Sequence, residues 1–253
     1  MKQNYWKAEG VIPALVTPFD DHGELNEPVL RALVRRLMDA GSHGLFCLGT
    51  NGEFYALTTD EKVRVVEIVV EETKGQVPVY AGAGSPSTKE TLHLVSRLEA
   101  AGADALSLIT PYFMAFSQAE LIDYYKRVAA ATSLPIMMYN IPARTGNSLQ
   151  PKSVAELAKE SNIVGIKDSS GSFDLILQYL RATATENFSV LSGNDGLILS
   201  TLMAGGKGTV SAMANICPEA VTAIYKHWKA GDYEKAEQAQ RVLRVARQAL
   251  RLG

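Results

Sequence analysis

The feature that most constrains the fold is an alternation of short apolar runs with longer amphipathic stretches, which continues along the whole chain. The runs are rich in β-branched residues and apolar throughout, a pattern typical of parallel strands buried on both faces of a sheet. They predict strands at residues 11–17, 44–48, 77–81, 105–109, 135–139, 163–166, 189–191 and 208–211.

The stretches between the runs have the apolar spacing of helices, at residues 27–40, 59–73, 87–101, 117–131, 151–159, 173–183 and 195–203. Ser117 with Glu120 predicts a helix start, and Gly41, Gly75 and Gly102 follow predicted helix ends. Eight strand–helix units without a linker in 253 residues predict a single (β/α)8 TIM barrel over residues 1–216. An open doubly wound sheet uses the same alternation and is the alternative.

The last segment, residues 217–253, predicts additional helices with no strand between them. Basic residues recur in it at helical spacing and predict a solvent-exposed face: Arg241, Arg244, Arg247 and Arg251.

Composition excludes several kinds of partner. The formal net charge is -2 with acids and bases scattered, so no basic surface for nucleic acid or an anionic membrane is predicted. The two cysteines, Cys47 and Cys217, give no disulfide framework, which favours a cytoplasmic location. No apolar run approaches the roughly 20 residues of a membrane span, and residues 1–6 lack the pattern of an export signal.

The active site of such a barrel lies at the carboxyl ends of the strands, so polar residues that end or follow the runs are the candidates. Because these ends meet on one face of the barrel, we expect the candidates to form a single site. They are Gly49, Thr50, Asn51, Tyr139, Arg144, Lys167, Gly193, Asn194 and Ser211.

Lys167 is the most informative candidate, because it ends the apolar run IVGI. Removal of water at a strand end disfavours an ammonium ion, and a neutral amine is a nucleophile that forms Schiff bases with carbonyl compounds. The alternative is a structural ion pair of Lys167 with Asp168 or with an acid on a neighbouring strand. Lys207 precedes the last run, so we expect it in a turn at the opposite face.

The other candidates each have a functional and a structural interpretation. The phenol of Tyr139 can transfer protons during imine formation, or its ring can simply pack in the core. Thr50 and Asn51 lie between glycines, where a turn can hold a carboxylate, or they form an ordinary strand–helix turn. Arg144 can bind an anionic substrate group with both guanidinium nitrogens, or form a surface ion pair.

Other chemistries lack their signals. None of the four histidines directly follows a predicted strand, so no metal site is predicted. Ser192 and Ser211 have no evident histidine base, and Ser87 occupies the third glycine position of a dinucleotide fingerprint. We therefore expect no metal and no organic cofactor.

Taken in order, the motifs resemble those of the dihydrodipicolinate synthase and N-acetylneuraminate lyase family of Schiff-base (β/α)8 aldolases. The resemblance covers nearly the whole chain, in the segments PALVTPF, GTNGE, TPYF, YNIPARTG, GIKDSSG and LSGND. Several motifs in the same order are far more specific than any one of them.

The resemblance implies that Lys167 forms an imine with pyruvate or another 2-keto acid, while Tyr139 and Thr50 relay protons. It implies that Thr50 and Asn51 hold the keto-acid carboxylate, and that Arg144 holds a carboxylate of the second substrate, as in the synthase branch. It further implies a homo-oligomer, a tetramer built from dimers, and a C-terminal region shorter than is usual in the family.

Two residues depart from the synthase pattern. Phe113 stands where synthases have a tyrosine that reaches the proton relay of a neighbouring subunit, and a phenyl ring cannot carry protons. Asn51 stands in place of a second threonine. A third position bears on the other branch of the family: Gly196 stands where the lyase branch has an acid.

The resemblance predicts a class I carbon–carbon lyase acting on small molecules. The first choice is dihydrodipicolinate synthase-like condensation of pyruvate with aspartate semialdehyde, the 4-hydroxy-tetrahydrodipicolinate synthase reaction. A 2-keto-3-deoxy sugar acid aldolase or dehydratase is the alternative, and a non-catalytic keto-acid sensor is the alternative of another class.

Overall fold

A computed structural model describes residues 7–249 and contains a barrel of parallel strands surrounded by helices. The predicted (β/α)8 TIM barrel with additional C-terminal helices is confirmed. The strands are β1 (Gly10–Pro13), β2 (Leu45–Cys47), β3 (Val79–Ala83), β4 (Ala105–Ile109), β5 (Ile136–Asn140), β6 (Ile163–Asp168), β7 (Ser189–Ser192) and β8 (Gly208–Ser211).

The sheet closes on itself. Strands β2 to β8 pair in parallel in chain order, and β8 pairs with β1. The ring closes through a parallel bridge between Ala14 and Phe46, beside which the Leu15 amide donates to the Phe46 carbonyl at 2.8 Å. Because side chains alternate between the barrel interior and the helix layer, both faces of each strand are buried, which explains the continuous apolar runs.

The helices are α1 (Glu27–Asp39), α2 (Thr59–Thr73), α3 (Thr88–Ala100), α4 (Gln118–Ala130), α5 (Pro142–Thr145), α6 (Pro151–Leu157), α7 (Phe173–Ala182), α8 (Ile198–Met203), α9 (Pro218–Lys229) and α10 (Tyr233–Ala249). Ser117 and Glu120 form the predicted capping box at α4, and Thr58 forms one with Glu61 at α2. Gly41, Gly75 and Gly102 have φ of 83°, 71° and 90°, the left-handed conformation that ends helices.

Some predicted boundaries are wrong. Strand β1 ends at Pro13 rather than at residue 17, and β3 is shifted toward the carboxyl end because Pro78 has no N–H to donate. The predicted helix at 195–203 is a 3-10 turn, Asp195–Leu197, followed by α8. The single-turn helix α5 was not predicted, since Pro142 starts it in the loop after β5.

The C-terminal helices pack on each other and against α8. Their apolar side chains form a core with Val11 of β1, which includes Ile198, Leu202, Ile224 and Leu243. Helices α9 and α10 therefore cover the barrel beside β1. The predicted division of the chain at residue 216 stays a prediction.

The predicted basic face is confirmed only in part. Arg241 and Arg244 are exposed and form ion pairs with Glu237. Arg247 is half-buried and lies against Gly196, so its assignment to a solvent face is wrong. Arg251 lies outside the described residues, as do residues 1–6. No helix within residues 7–249 is long and apolar enough to cross a membrane.

Candidate active site

Lys167 lies in the barrel interior near the carboxyl end of β6. Its side chain is 4% exposed, and Nζ is 3.9 Å from the ring centroid of Tyr139 and 4.9 Å from that of Phe46. Lys167 forms no ion pair with any residue from 7 to 249. The amine is thus enclosed by aromatic carbon rather than neutralised by a carboxylate.

Asp168, the next residue of β6, points away from the amine. Its carboxylate accepts hydrogen bonds from Asn140 Nδ2 at 2.7 Å and from Ser170 Oγ at 2.6 Å. Burial raises the pKa of Asp168, against the lowering effect of these bonds. The structural alternative, an ion pair between Lys167 and Asp168, is wrong because neighbouring strand residues face opposite sides.

Tyr139 of β5 lies beside Lys167, its register partner across the sheet. Its hydroxyl is 3.2 Å from Thr50 Oγ1, and either oxygen can donate. Burial acts to raise the pKa of the Tyr139 phenol, but the Lys167 ammonium and hydrogen bonds with Thr50 and Ser169 outweigh it and lower the pKa. The arrangement places a proton-exchanging pair of hydroxyls beside a primary amine.

The turn after β2 brings Gly49 and Thr50 to this site. A Cβ atom on Gly49 would lie 2.7 Å from Cε1 of Phe46, so the backbone needs a glycine there to approach the ring. The Gly52 carbonyl accepts from Thr17 Oγ1 at 2.7 Å, which ties the turn to the segment after β1. Thr50 is half-buried beside Tyr139, whereas Asn51 is exposed.

Gly193, after β7, forms the wall against which Lys167 packs. A Cβ atom there would lie 3.0 Å from Cε of Lys167 and 2.0 Å from Oγ of Ser169. The Gly193 amide donates to the Asp168 carbonyl at 2.7 Å, which fixes the wall to β6. Asn194 follows it, and its side-chain oxygen accepts from the Gly196 amide at 3.0 Å.

Ser211 ends β8 and is fully buried. Its hydroxyl donates to the Asp195 carboxylate in a short hydrogen bond and accepts from the Ala214 amide at 3.1 Å. Burial raises the pKa of Asp195, although the bond from Ser211 acts in the opposite direction. The Ser211 hydroxyl is therefore bonded to Asp195, and a contact of Ser211 with the substrate stays a prediction.

Arg144 lies on α5, immediately beyond β5, with its guanidinium exposed. That guanidinium forms no hydrogen bond or ion pair with a residue in the described range. The alternative interpretation, a surface ion pair of Arg144, is therefore not found within these residues. The guanidinium is available to an anionic ligand.

Sequence reasoning missed Ser107, which lies within β4. Its buried hydroxyl has no hydrogen-bond partner among residues 7–249 and lines a small cavity of about 10 Å³ next to Gly49 and Tyr139. Buried polar groups normally have partners, so this hydroxyl is open to a polar ligand. Ser107 lies inside the apolar run at residues 105–109, so the strand pattern did not mark it as a site residue.

A larger groove of about 770 Å³ lies at the opposite end of the barrel, between the end of α1 and α9. It contains none of the predicted site residues, and Lys207 lies at that end, just before β8. Within residues 7–249, no group of three or more histidine, cysteine or acidic side chains is placed to hold a metal ion.

Comparisons with known proteins identify the family. Residues 7–251 match the model of the dihydrodipicolinate synthetase family. The 4-hydroxy-tetrahydrodipicolinate synthase of Methanopyrus kandleri is 46% identical over 235 residues, which cover 92% of this chain and 78% of that protein. Homologues of this kind are enzymes, which disfavours the non-catalytic sensor.

Solved structures agree in fold. The chain is similar to the Escherichia coli K12 prophage protein YagE, of the dihydrodipicolinic acid synthase family, solved with pyruvate. The TM-score is 0.93 at 37% identity, covering 97% of this chain and 83% of that one. A monomeric dihydrodipicolinate synthase variant gives a TM-score of 0.92 at 35% identity, covering 97% and 82%.

Proposed function

The chain belongs to the dihydrodipicolinate synthetase family, whose members are class I lyases, and we propose that it joins a 2-keto acid to an aldehyde through a Schiff base on Lys167. The first-choice reaction is dihydrodipicolinate synthase-like, with pyruvate as the keto acid and aspartate semialdehyde as the acceptor. The observation that carries the proposal is an amine 4% exposed, without an ion pair in residues 7–249, beside the Tyr139 phenol.

The reaction begins when Nζ of Lys167 attacks the keto carbon and forms a carbinolamine. Proton transfer to the carbinolamine hydroxyl releases water and leaves an imine. Loss of a proton from the adjacent methyl carbon gives an enamine, whose carbon attacks the aldehyde carbon while the aldehyde oxygen takes up a proton and becomes a hydroxyl. Hydrolysis of the new imine frees the amine. Tyr139 and Thr50 carry the protons, since their oxygens are 3.2 Å apart.

The remaining predicted residues are assigned to substrate binding. The backbone around Gly49, Thr50 and Asn51 holds the keto-acid carboxylate, because a turn presents free N–H groups. Gly193 and Asn194 border the reacting carbon on the β7 side, with Ser211 behind them. Arg144 holds the carboxylate of the acceptor, since a guanidinium matches a carboxylate with two parallel hydrogen bonds.

Phe113 supports a second candidate, a 2-keto-3-deoxy sugar acid aldolase or dehydratase. Its ring is 92% exposed on a backbone with φ of 80°, and it has no group that can carry a proton. A reaction that needs no relay from this position would tolerate it. Steady-state rates with pyruvate plus aspartate semialdehyde, against cleavage of keto-deoxy sugar acids, separate the two candidates.

The test of the Schiff base is borohydride reduction in the presence of pyruvate, followed by peptide mass mapping. We expect one reduced adduct on Lys167 and none in Lys167→Ala. Lys207→Ala is the matched control, because it removes an exposed lysine at the opposite end of the barrel and should keep the adduct. An adduct elsewhere, or none in the unmodified protein, would refute the proposal.

We also propose a homo-oligomer, a tetramer built from dimers. Its support is an exposed apolar surface around Phe113, with Met114 and Tyr55, where Phe54 contacts both Tyr55 and Tyr112. Such a surface favours association. Sedimentation velocity of the full chain should give a species larger than a monomer, and Phe113→Ser should weaken it. A monomer at all concentrations would contradict the proposal.

A further inference from the structure

Helix α10 is fastened to the loop at the carboxyl end of β7 by a buried glutamine. Gln240 is 0% exposed; its Nε2 donates to the Asp195 carbonyl at 2.9 Å, and its Oε1 accepts from the Leu199 amide at 3.0 Å. The first bond reaches the short segment that joins β7 to α8, and the second reaches the first turn of α8. The helix is therefore held at the same end of the barrel as Lys167.

Arg247 follows Gln240 by seven residues and so lies on the same face of α10, two turns further along. A Cβ atom on Gly196 would lie 2.6 Å from Nη1 of Arg247 and 3.3 Å from Oδ1 of Asn194. The guanidinium thus covers Gly196 directly. Only a residue without a side chain at position 196 leaves room for it.

The Arg247 guanidinium has no hydrogen bond or ion pair with any residue from 7 to 249, although it is half-buried. Arg241 and Arg244 of the same helix share Glu237. The nearby acid, Asp195, has its carboxylate oxygens bonded to Ser211 and to the Met213 amide. A half-buried cation without a partner is costly, and an anionic ligand would supply the partner.

The position of Arg247 relative to the amine indicates which part of a ligand it meets. Gly193 touches the Lys167 side chain, and Gly196 lies three residues further along the same loop. The positive charges of Arg247 and Lys167 each act to lower the pKa of Asp195, which lies on this loop between Gly193 and Gly196. The loop from Gly193 to Gly196 therefore borders the amine at one end and the Arg247 guanidinium at the other.

We propose that Arg247 is a specificity-determining residue that binds a carboxylate or phosphate at the far end of the acceptor aldehyde. The inference rests on the proposed Schiff-base function and adds a second anion contact, on the β7 side, to that of Arg144 on the β5 side. Acceptors with an acidic terminus are favoured over neutral acceptors of similar size.

The test compares Arg247→Gln with Arg241→Gln, which removes the same charge from the exposed face of α10. The acceptors are succinic semialdehyde for a carboxylate, glyceraldehyde 3-phosphate for a phosphate, and butanal and glyceraldehyde as neutral aldehydes, each with pyruvate. Borohydride trapping of pyruvate on both variants serves as an independent measure of imine formation. Arg247→Lys tests whether a positive charge alone restores part of the preference.

We expect Arg247→Gln to lower kcat/KM for an anionic acceptor by about 10- to 100-fold, the range for loss of a charge-assisted hydrogen bond. The effect should fall mainly on KM, leave neutral acceptors and pyruvate trapping unchanged, and be absent in Arg241→Gln. The anionic acceptor whose kcat/KM falls more shows whether Arg247 binds a carboxylate or a phosphate.

Equal losses for neutral and anionic acceptors, or no loss for either anion, would overturn the role of Arg247. If the unmodified protein traps no pyruvate, the Schiff-base proposal itself fails, which is a separate result.

Discussion

Replacement of Tyr139 by phenylalanine separates proton transfer from packing, because it removes a single oxygen. The phenylalanine ring keeps the edge-to-face contact with Phe46, whose centroid is 6.4 Å away, and the position 3.9 Å from Nζ of Lys167. The lost interactions are the hydrogen bonds of the Tyr139 hydroxyl with Thr50, at 3.2 Å, and with Ser169. The amine therefore stays enclosed while its neighbouring proton carrier disappears.

The expected loss of unfolding free energy is much smaller than the expected loss of catalytic rate, so the two effects of the substitution can be told apart. One neutral hydrogen bond contributes about 0.5–1.5 kcal/mol to the free energy of unfolding. A positioned acid–base group contributes about 10²- to 10⁴-fold to a rate, which corresponds to about 2.7–5.4 kcal/mol of activation free energy. We therefore expect Tyr139→Phe to remain folded and to lose at least about 100-fold in kcat.

The assays are steady-state turnover with pyruvate and aspartate semialdehyde, the rate of borohydride trapping, and unfolding in urea. Tyr125→Phe is the matched control: Tyr125 is also buried, and its hydroxyl donates to the Leu108 carbonyl at 2.9 Å. It should lose similar stability but no activity. Unchanged turnover in Tyr139→Phe, or an equal loss in Tyr125→Phe, would refute proton transfer by Tyr139.

Three further results are expected. Gly193→Ala should lower the yield of trapped imine, since its Cβ would lie 3.0 Å from Cε of Lys167; an unchanged yield would remove Gly193 from the site. Titration of tyrosinate absorbance should show a phenol with a pKa lowered from the ordinary tyrosine value, and this phenol should be missing in Tyr139→Phe. Because the pKa of this phenol is lower in the folded than in the unfolded protein, its ionisation adds folding stability above the unfolded pKa. This added stability is lost as the pH falls through the folded pKa. Urea unfolding at several alkaline pH values measures the change. Thr58→Ala should cost about 1 kcal/mol of unfolding free energy through loss of the capping box with Glu61, and Thr59→Ala, one residue inside the helix, should cost less.

The strand-end residues could be predicted from the sequence because a barrel fixes where they go. Lys167 and Tyr139 end apolar runs, and parallel strands in register bring such ends together whatever the loops do. The same argument explains why Thr50, in the turn after β2, reaches Tyr139.

Other parts of the site have no such signal. The bond between Ser211 and Asp195, and the contact of Arg247 with Gly196, join residues that are far apart in sequence. The arginine spacing on α10 is the same whether its face meets water or the barrel, so helical periodicity could not separate Arg247 from Arg244. Only the packing of α10, fixed by Gln240, decides between them.

The pairing of β5 with β6 sets Tyr139 directly opposite Lys167 through backbone hydrogen bonds in the interior of a closed sheet. The spacing between the proposed acid–base group and the proposed nucleophile is therefore set by the backbone pairing of the barrel strands. Arg144 and Arg247, by contrast, sit on peripheral helices. If the proposed roles hold, exchange of those helices would let protein engineers change the accepted aldehyde while the bond-forming residues on the strands stay the same.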